Sequence, residues 1–190
     1  MNKKRIAIFA SGGGSNAIKL LDYFENSDEI EVVLLLTNNE NAKVLEKTKD
    51  RVDQMIINNE GANDGGYLAE EMQELGVDYI VLAGYLRKIP VELIKAYPQH
   101  IINIHPALLP KYGGKGMYGM NVHKAVLESR DSESGITIHL VNEMYDEGKI
   151  LAQYKTDISP EDDVNTVQKK VLEIEHRYFS EVVEKYIKEQ

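Results

Sequence analysis

The sequence predicts a single α/β domain: a mostly parallel, twisted, Rossmann-like sheet flanked by helices, with an antiparallel C-terminal addition and a long terminal helix. Three observations lead there. Short apolar runs rich in Val, Ile and Leu alternate with segments of helical spacing, and that alternation implies right-handed crossovers between parallel strands. A later run, residues 135–141, instead alternates apolar with polar side chains, the mark of a half-covered strand. Finally, 190 residues, 43% of them hydrophobic, suffice to bury one substantial core, and no repeat or low-complexity linker divides them.

The elements follow in order. Residues 5–10 form a short apolar strand closed by Ser11-Gly12-Gly13-Gly14, and helical spacing follows at Ile18, Leu21 and Phe24. Residues 30–37 are Val- and Leu-rich without alternation, as expected of a strand covered on both faces. A helix over about 42–49 precedes a short strand at 55–57, and a further helix over about 64–75 ends at Gly76. Strand 78–83, helix 90–96 and strand 100–104 complete the parallel part. Residues 149–156 pair with 135–141 as a hairpin-like addition. Pro160 and the acids Glu161, Asp162 and Asp163 open the last helix, through which Val164, Val167, Val171, Ile174, Tyr178 and Val182 recur at helical spacing. His123 and His176 also fall in expected helices.

Composition narrows the function. Formal charge is −9, from 22 basic and 31 acidic side chains, and the acids are dispersed. Without a basic stripe, nucleic acid is a poor partner. The absence of cysteine removes disulfides, thiolate nucleophiles and zinc–thiolate sites. The start Met1-Asn2-Lys3-Lys4-Arg5 is basic, but the apolar run behind it is too short for a signal peptide, and no run has the length of a membrane span. A cytoplasmic protein without membrane partners is expected.

Two segments carry chemistry. Gly12-Gly13-Gly14-Ser15-Asn16 lies between the first strand and helix, where glycines allow close approach and helix amides favour a phosphate. Ser15 or Asn16 is expected to cap that helix and donate to the anion. A dinucleotide site is disfavoured, since Thr37-Asn38-Asn39 stands where an acidic residue belongs. The second segment is Asn103-Ile104-His105-Pro106. Strand alternation sets Asn103 and His105 on one face, and Pro106 takes the chain out of the sheet where they appear. An amide and an imidazole side by side supply an oxyanion donor and a proton carrier, which suggests acyl-group chemistry. Asp146, in the acidic turn 143–148, is the best third partner, expected to raise the pKa of His105 and favour imidazolium. No histidine has partners spaced as in helical zinc sites, so no metal is expected.

Taken together, these segments resemble the folate-dependent formyltransferases, in particular the branch that formylates glycinamide ribonucleotide. The match spans nearly the whole chain: Gly-x-Gly-Ser-Asn at 12–16, Ala-Gly-(aromatic)-x-Arg at 83–87, Asn-Ile-His-Pro-(small)-Leu-Leu-Pro at 103–110, Gly-(Ile/Val)-Thr-(Ile/Val)-His at 135–139, Asp146, and Glu175-His176. The resemblance implies an enzyme of purine biosynthesis that moves the formyl group of the co-substrate 10-formyltetrahydrofolate to the amine of 5-phosphoribosylglycinamide. Asn103, His105 and Asp146 would be catalytic. Gly14, Ser15 and Asn16 would bind the substrate phosphate and Glu175 its ribose. Leu86, Arg87, Lys88, Ile89, Asn103, Leu140 and Val141 would bound the folate pocket. It further implies a phosphate-binding half over about 1–100, a catalytic and folate-binding half over about 101–190, and a monomer or weak homodimer.

Three departures stand out. Asp64-Gly65-Gly66 occupies the place of an arginine that often contacts folate in the family. Loop 111–123, with four glycines and two methionines, is longer than usual and is expected to act as a mobile lid. Glu147 replaces a common glycine. The competing readings are formyltetrahydrofolate hydrolysis, formylation of initiator tRNA or a nucleotide sugar, and a non-enzymatic nucleotide sensor. The relatives that do the first three usually carry an extra domain, and a sensor has no need of Asn103, His105 and Asp146 together.

Overall fold

A computed structural model of the chain describes residues 3–190, so Met1 and Asn2 of the basic N-terminal segment lie outside the described residues. The elements run β1 (Lys4–Phe9), α1 (Ser15–Phe24), β2 (Ile30–Thr37), α2 (Lys43–Thr48), β3 (Asp53–Ile56), α3 (Gly65–Glu74), β4 (Tyr79–Leu82), α4 (Val91–Ala96), β5 (Ile101–His105), α5 (Met120–Glu128), β6 (Glu133–Leu140), β7 (Ile150–Asp157) and α6 (Val164–Lys188). One seven-stranded sheet has the order β3-β2-β1-β4-β5-β6-β7. It is parallel from β3 to β5, and β6 and β7 are antiparallel. The expected α/β fold, its antiparallel addition and its long terminal helix are all present.

Alternation along β1 builds two cores. Ile6, Ile8 and Ala10 pack with α1 and α6, while Ala7 and Phe9 pack with Leu68 and Met72 of α3 and Leu93 of α4. Each fully buried Ile or Phe contributes roughly 1.5–3 kcal/mol. The α6 stripe Val167, Val171, Phe179, Val183 and Ile187 supplies the larger cover. From the acidic run before α6, Asp163 is the cap, accepting from the Thr166 amide at 2.7 Å, and Asp162 pairs with Lys170 at 2.5 Å.

The chain proceeds from β1 outward through β2 and β3, then returns to add β4 and β5 on the other side. The carboxyl ends of β1 and β4 therefore flank the point where strand order reverses, the place where open α/β sheets bind ligands. β5 adds its own carboxyl end beside them, and with it Asn103 and His105.

Candidate active site

Antiparallel pairing sets Asn103 opposite His139 and His105 opposite Thr137, so β6 brings a second imidazole to the pair on β5. His105 is 4% exposed. Its Nε2 lies 2.7 Å from the carbonyl oxygen of Tyr112. A carbonyl only accepts, so Nε2 carries the proton and Nδ1 is the atom left to titrate. Nδ1 faces Asp146 Oδ2 at 3.7 Å, too long for a hydrogen bond but close enough for charge to be felt.

Asp146 joins both imidazoles. Its Oδ2 accepts from the Gly114 amide at 2.8 Å, and its Oδ1 lies 3.6 Å from His139 Nε2. His139 donates Nδ1–H to the carbonyl of Leu140 at 2.9 Å. Its Nε2 then accepts from Asn103 Nδ2 at 3.1 Å. One N–H of the Asn103 carboxamide is thus held in direction, and the other is available to an incoming oxygen. Thr137 steadies the chain beyond Pro106: its hydroxyl donates to Ala107 O at 2.7 Å and accepts from the Leu109 amide at 3.0 Å.

Protonation differs from the expectation. Burial pushes the His105 pKa down and outweighs the upward pull of Asp146 and of the Tyr112 carbonyl, while His139 adds to the lowering. His105 is therefore neutral near neutral pH in the protein alone, and Asp146 does not hold it as imidazolium. Burial pushes the Asp146 carboxyl up, but His139, the Gly114 amide and His105 together pull harder, and it stays below the usual carboxylate range.

A cavity of about 550 Å³ contains this cluster. Asn103, His105, His139 and Asp146 line it, together with Leu86, Arg87, Lys88, Ile89 and Val141 on one wall and Asn16 and Glu175 on another. Leu140 sits behind the wall in the core packed on α6 and acts on the site through its carbonyl on His139. Met144 and Tyr145 also line the cavity, and Lys88 Nζ stands 5.2 Å from the centre of the Tyr145 ring. Arg87 Nη2 donates to Asn63 Oδ1 at 3.3 Å, which bridges the loop after β4 to the segment before α3.

At the end of β1, Gly14 takes φ 69°, and a Cβ there would lie 2.2 Å from Val44 Cγ2, so only glycine fits. Gly14 itself is the cap of α1, with no side chain capping it. The expected cap by Ser15 or Asn16 is thus not formed. Asn16 turns instead to Glu175, donating Nδ2–H to Oε2 at 2.7 Å, and its own Oδ1 has no partner among the described residues. Gly12 and Gly13 direct their carbonyls to the Val44 amide at 3.1 Å and Lys47 Nζ at 2.9 Å, leaving the first amides of α1 for an anion.

Glu175 is 8% exposed, and burial raises its pKa against the lowering bond from Asn16. A raised folded-state value means that its stabilising contribution is present below the ordinary glutamate pKa and is lost as pH rises through the folded value. Glu175→Gln keeps the acceptor for Asn16 and removes the buried charge. It is expected to raise Tm at pH 8 by a few degrees and leave Tm at pH 4 nearly unchanged, by calorimetry at the two pH values. A lower Tm at pH 8 would contradict this.

A strand-end Asn and His set against a carboxylate can meet an oxyanion and carry a proton, and the Asn16–Glu175 pair at the start of α1 lies on the same cavity. The formyl transferase domain family matches residues 4–183. The chain belongs to the formyltransferase family. Among curated relatives, the chloroplastic phosphoribosylglycinamide formyltransferase of Arabidopsis thaliana is 44% identical over 188 residues, covering 95% of this chain and 64% of that protein. The chloroplastic counterpart from Vigna unguiculata is 38% identical and covered over 63% of its length. The chain thus spans just under two thirds of these plant relatives. The Haemophilus influenzae phosphoribosylglycinamide formyltransferase is 32% identical, with 95% of this chain and 85% of that one covered. The crystal structure of the Bacillus halodurans phosphoribosylglycinamide formyltransferase superposes with a TM-score of 0.87 at 32% identity, covering 97% and 95% of the two chains.

Of the residues expected to form the site, the structure gathers Asn103, His105, Asp146, Leu86, Arg87, Lys88, Ile89, Val141, Asn16 and Glu175 on one cavity. Gly14 and Ser15 stand at the start of α1 beside it. Sequence reading assigned no role to His139 or Tyr112. A signal for His139 was present, because alternation over 135–141 puts Thr137 and His139 on the same face. Tyr112 acts through its backbone, which leaves no trace in residue type. Among the described residues no three His, Cys, Asp or Glu side chains are arranged to hold a metal ion, and no helix is long and apolar enough to cross a membrane.

Proposed function

We propose that this formyltransferase moves the formyl group of 10-formyltetrahydrofolate onto the amine of 5-phosphoribosylglycinamide. The observation that carries the reading is that one cavity joins Asn103, His105 and Asp146 to the Asn16–Glu175 pair beside the α1 amides. An acceptor bearing both a phosphate and an amine fits the two ends. The α1 amides with Gly14, Ser15 and Asn16 take the phosphate, and Glu175 takes the ribose hydroxyls. Leu86, Arg87, Lys88, Ile89 and Val141 bound the folate, with Leu140 supporting that wall from behind. Cations at Arg87, Lys88 and Lys115 on the cavity wall suit the folate carboxylates where the usual arginine is missing. On this reading residues up to about 100 hold the phosphate and those beyond carry the catalytic groups, with Glu175 reaching back to the ribose and residues 86–89 supplying part of the folate wall. The acidic surface and apolar distribution suit a cytoplasmic monomer or weak homodimer acting on small molecules.

The chemistry balances without further reagents. The amine attacks the formyl carbon, a C–N bond forms, and the carbonyl oxygen becomes an oxyanion met by the second N–H of Asn103. Neutral His105 accepts the ammonium proton at Nδ1, and Asp146 stabilises the resulting imidazolium. The C–N10 bond breaks as that proton passes to N10. A well-aimed donor at the oxyanion contributes about 3 kcal/mol of barrier lowering. The test is spectroscopic release of deformylated folate with and without the acceptor. Release is expected only when 5-phosphoribosylglycinamide is present; equal release without it would make the protein a hydrolase and overturn the reading.

A further inference from the structure

Asp131, two residues before β6, lies outside the cavity, yet it is tied to the catalytic cluster through Tyr112. Tyr112 Oη donates to Asp131 Oδ2 at 2.8 Å, and Lys111 Nζ reaches the same oxygen at 2.9 Å. Tyr112 holds φ 57°, a region that costs a non-glycine residue about 1 kcal/mol or more and persists only when its surroundings impose it. Asp146, on the other side of the cluster, holds φ 56°.

Between them the backbone grips both groups that move protons. The Tyr112 carbonyl accepts His105 Nε2–H at 2.7 Å, and two residues on the Gly114 amide donates to Asp146 Oδ2 at 2.8 Å. Gly113 lies so close that a Cβ there would stand 2.6 Å from Leu109 Cδ2 and 3.3 Å from Asp146 Cβ. A carbonyl and an amide have no rotamer of their own to adjust. Their aim is set by whatever fixes the segment, and the Tyr112 phenol bonded to Asp131 does that.

We infer that the Tyr112 hydroxyl and Asp131 form a positioning anchor, which holds residues 112–114 so that His105 keeps its proton on Nε2 and presents Nδ1 to Asp146 and the substrate. The kinetic part rests on the proposed formyl transfer, whereas the tautomer is a property of the protein alone. The groups facing His105 are Asp146, His139 and His123, and Asp131 is engaged by Lys111 and Tyr112 instead. Loss of the anchor therefore acts on His105 through geometry and water access, not through a new charge.

Tyr112→Phe and Asp131→Ala test this, with Asp131→Asn as the conservative variant that keeps an acceptor for the phenol. In folded, ligand-free protein, nitrogen-15 NMR of the parent is expected to show His105 protonated on Nε2, and both disrupting variants to show mixed tautomers. Their kcat is expected to fall about tenfold, the worth of one well-made hydrogen bond, with KM within about twofold of the parent. The pH-profile limb reporting His105 moves up toward the ordinary imidazole value as the segment loosens and admits water. Asp131→Asn recovers most of each change, and Lys111→Ala leaves all of them at parent values. A single Nε2–H tautomer with parent kcat in both disrupting variants overturns the anchor, as does a loss of activity with tautomer and pH profile unmoved. A parent protein that transfers no formyl group would end the proposed function, while the tautomer measurement still decides the anchor.

Discussion

His105→Ala is expected to lower kcat for formyl transfer by about 10³-fold while the protein stays folded, because general acid–base transfer contributes about 10²–10⁴-fold and the other imidazole nitrogen beside Asp146, His139 Nε2, is already engaged by Asn103 Nδ2. Asp146→Ala is expected to cost a similar factor. It removes the carboxylate facing Nδ1 at 3.7 Å and also the acceptor of the Gly114 amide. The two should not add. If Asp146 works by stabilising the imidazolium of His105, the double variant is expected to be no slower than the worse single one. Steady-state kinetics of the three variants, with circular dichroism to show folding, would check this. Full additivity would mean that Asp146 acts elsewhere, and near-parent kcat in His105→Ala would remove that residue from the mechanism.

Asn103→Ala carries the next largest expected effect, a loss of about 10²–10³-fold in kcat, in line with removal of one oxyanion donor. Folate KM should change little, because the second N–H of Asn103 meets the oxygen as charge develops and not before. Asn103→Asp is the sharper variant. It keeps the shape but aims negative charge at the developing oxyanion, so its kcat is expected to fall below that of Asn103→Ala. Comparing kcat of the two gives the answer, and an Asp variant faster than the Ala variant would show that Asn103 is not an oxyanion donor. The Asn103–His139 bond at 3.1 Å sets the direction of the carboxamide; its loss alone should therefore cost less than loss of Asn103.

Much of this was legible in the chain. Unbroken Val and Leu runs marked the strands covered on both faces, and Pro106 marked where β5 releases Asn103 and His105. The glycines before Ser15 marked the turn into α1, where Gly14 holds φ 69°. What stayed hidden depends on tertiary distance. His139 meets Asn103 only because β6 returns antiparallel in one particular register, and spacing does not give register. The bounds of α5 are not legible in the sequence, because the glycine-rich loop before it blurs its start. The charge of His105 departs from the expectation because the nearby acid is visible in the sequence, whereas the depth of burial that outweighs it emerges only when β5, β6 and loop 111–119 close together. Tyr112 and Gly114 act through carbonyl and amide, groups that every residue carries.

The most direct measurement follows the formyl carbon itself. With 10-formyltetrahydrofolate labelled by carbon-13 in the formyl group, NMR separates a formamide carbon on the acceptor from free formate. The expected result is one equivalent of labelled formamide on 5-phosphoribosylglycinamide for each folate deformylated, with no formate. Labelled formate accumulating at the rate of folate consumption, whether or not the acceptor is present, would contradict direct amine attack in this site.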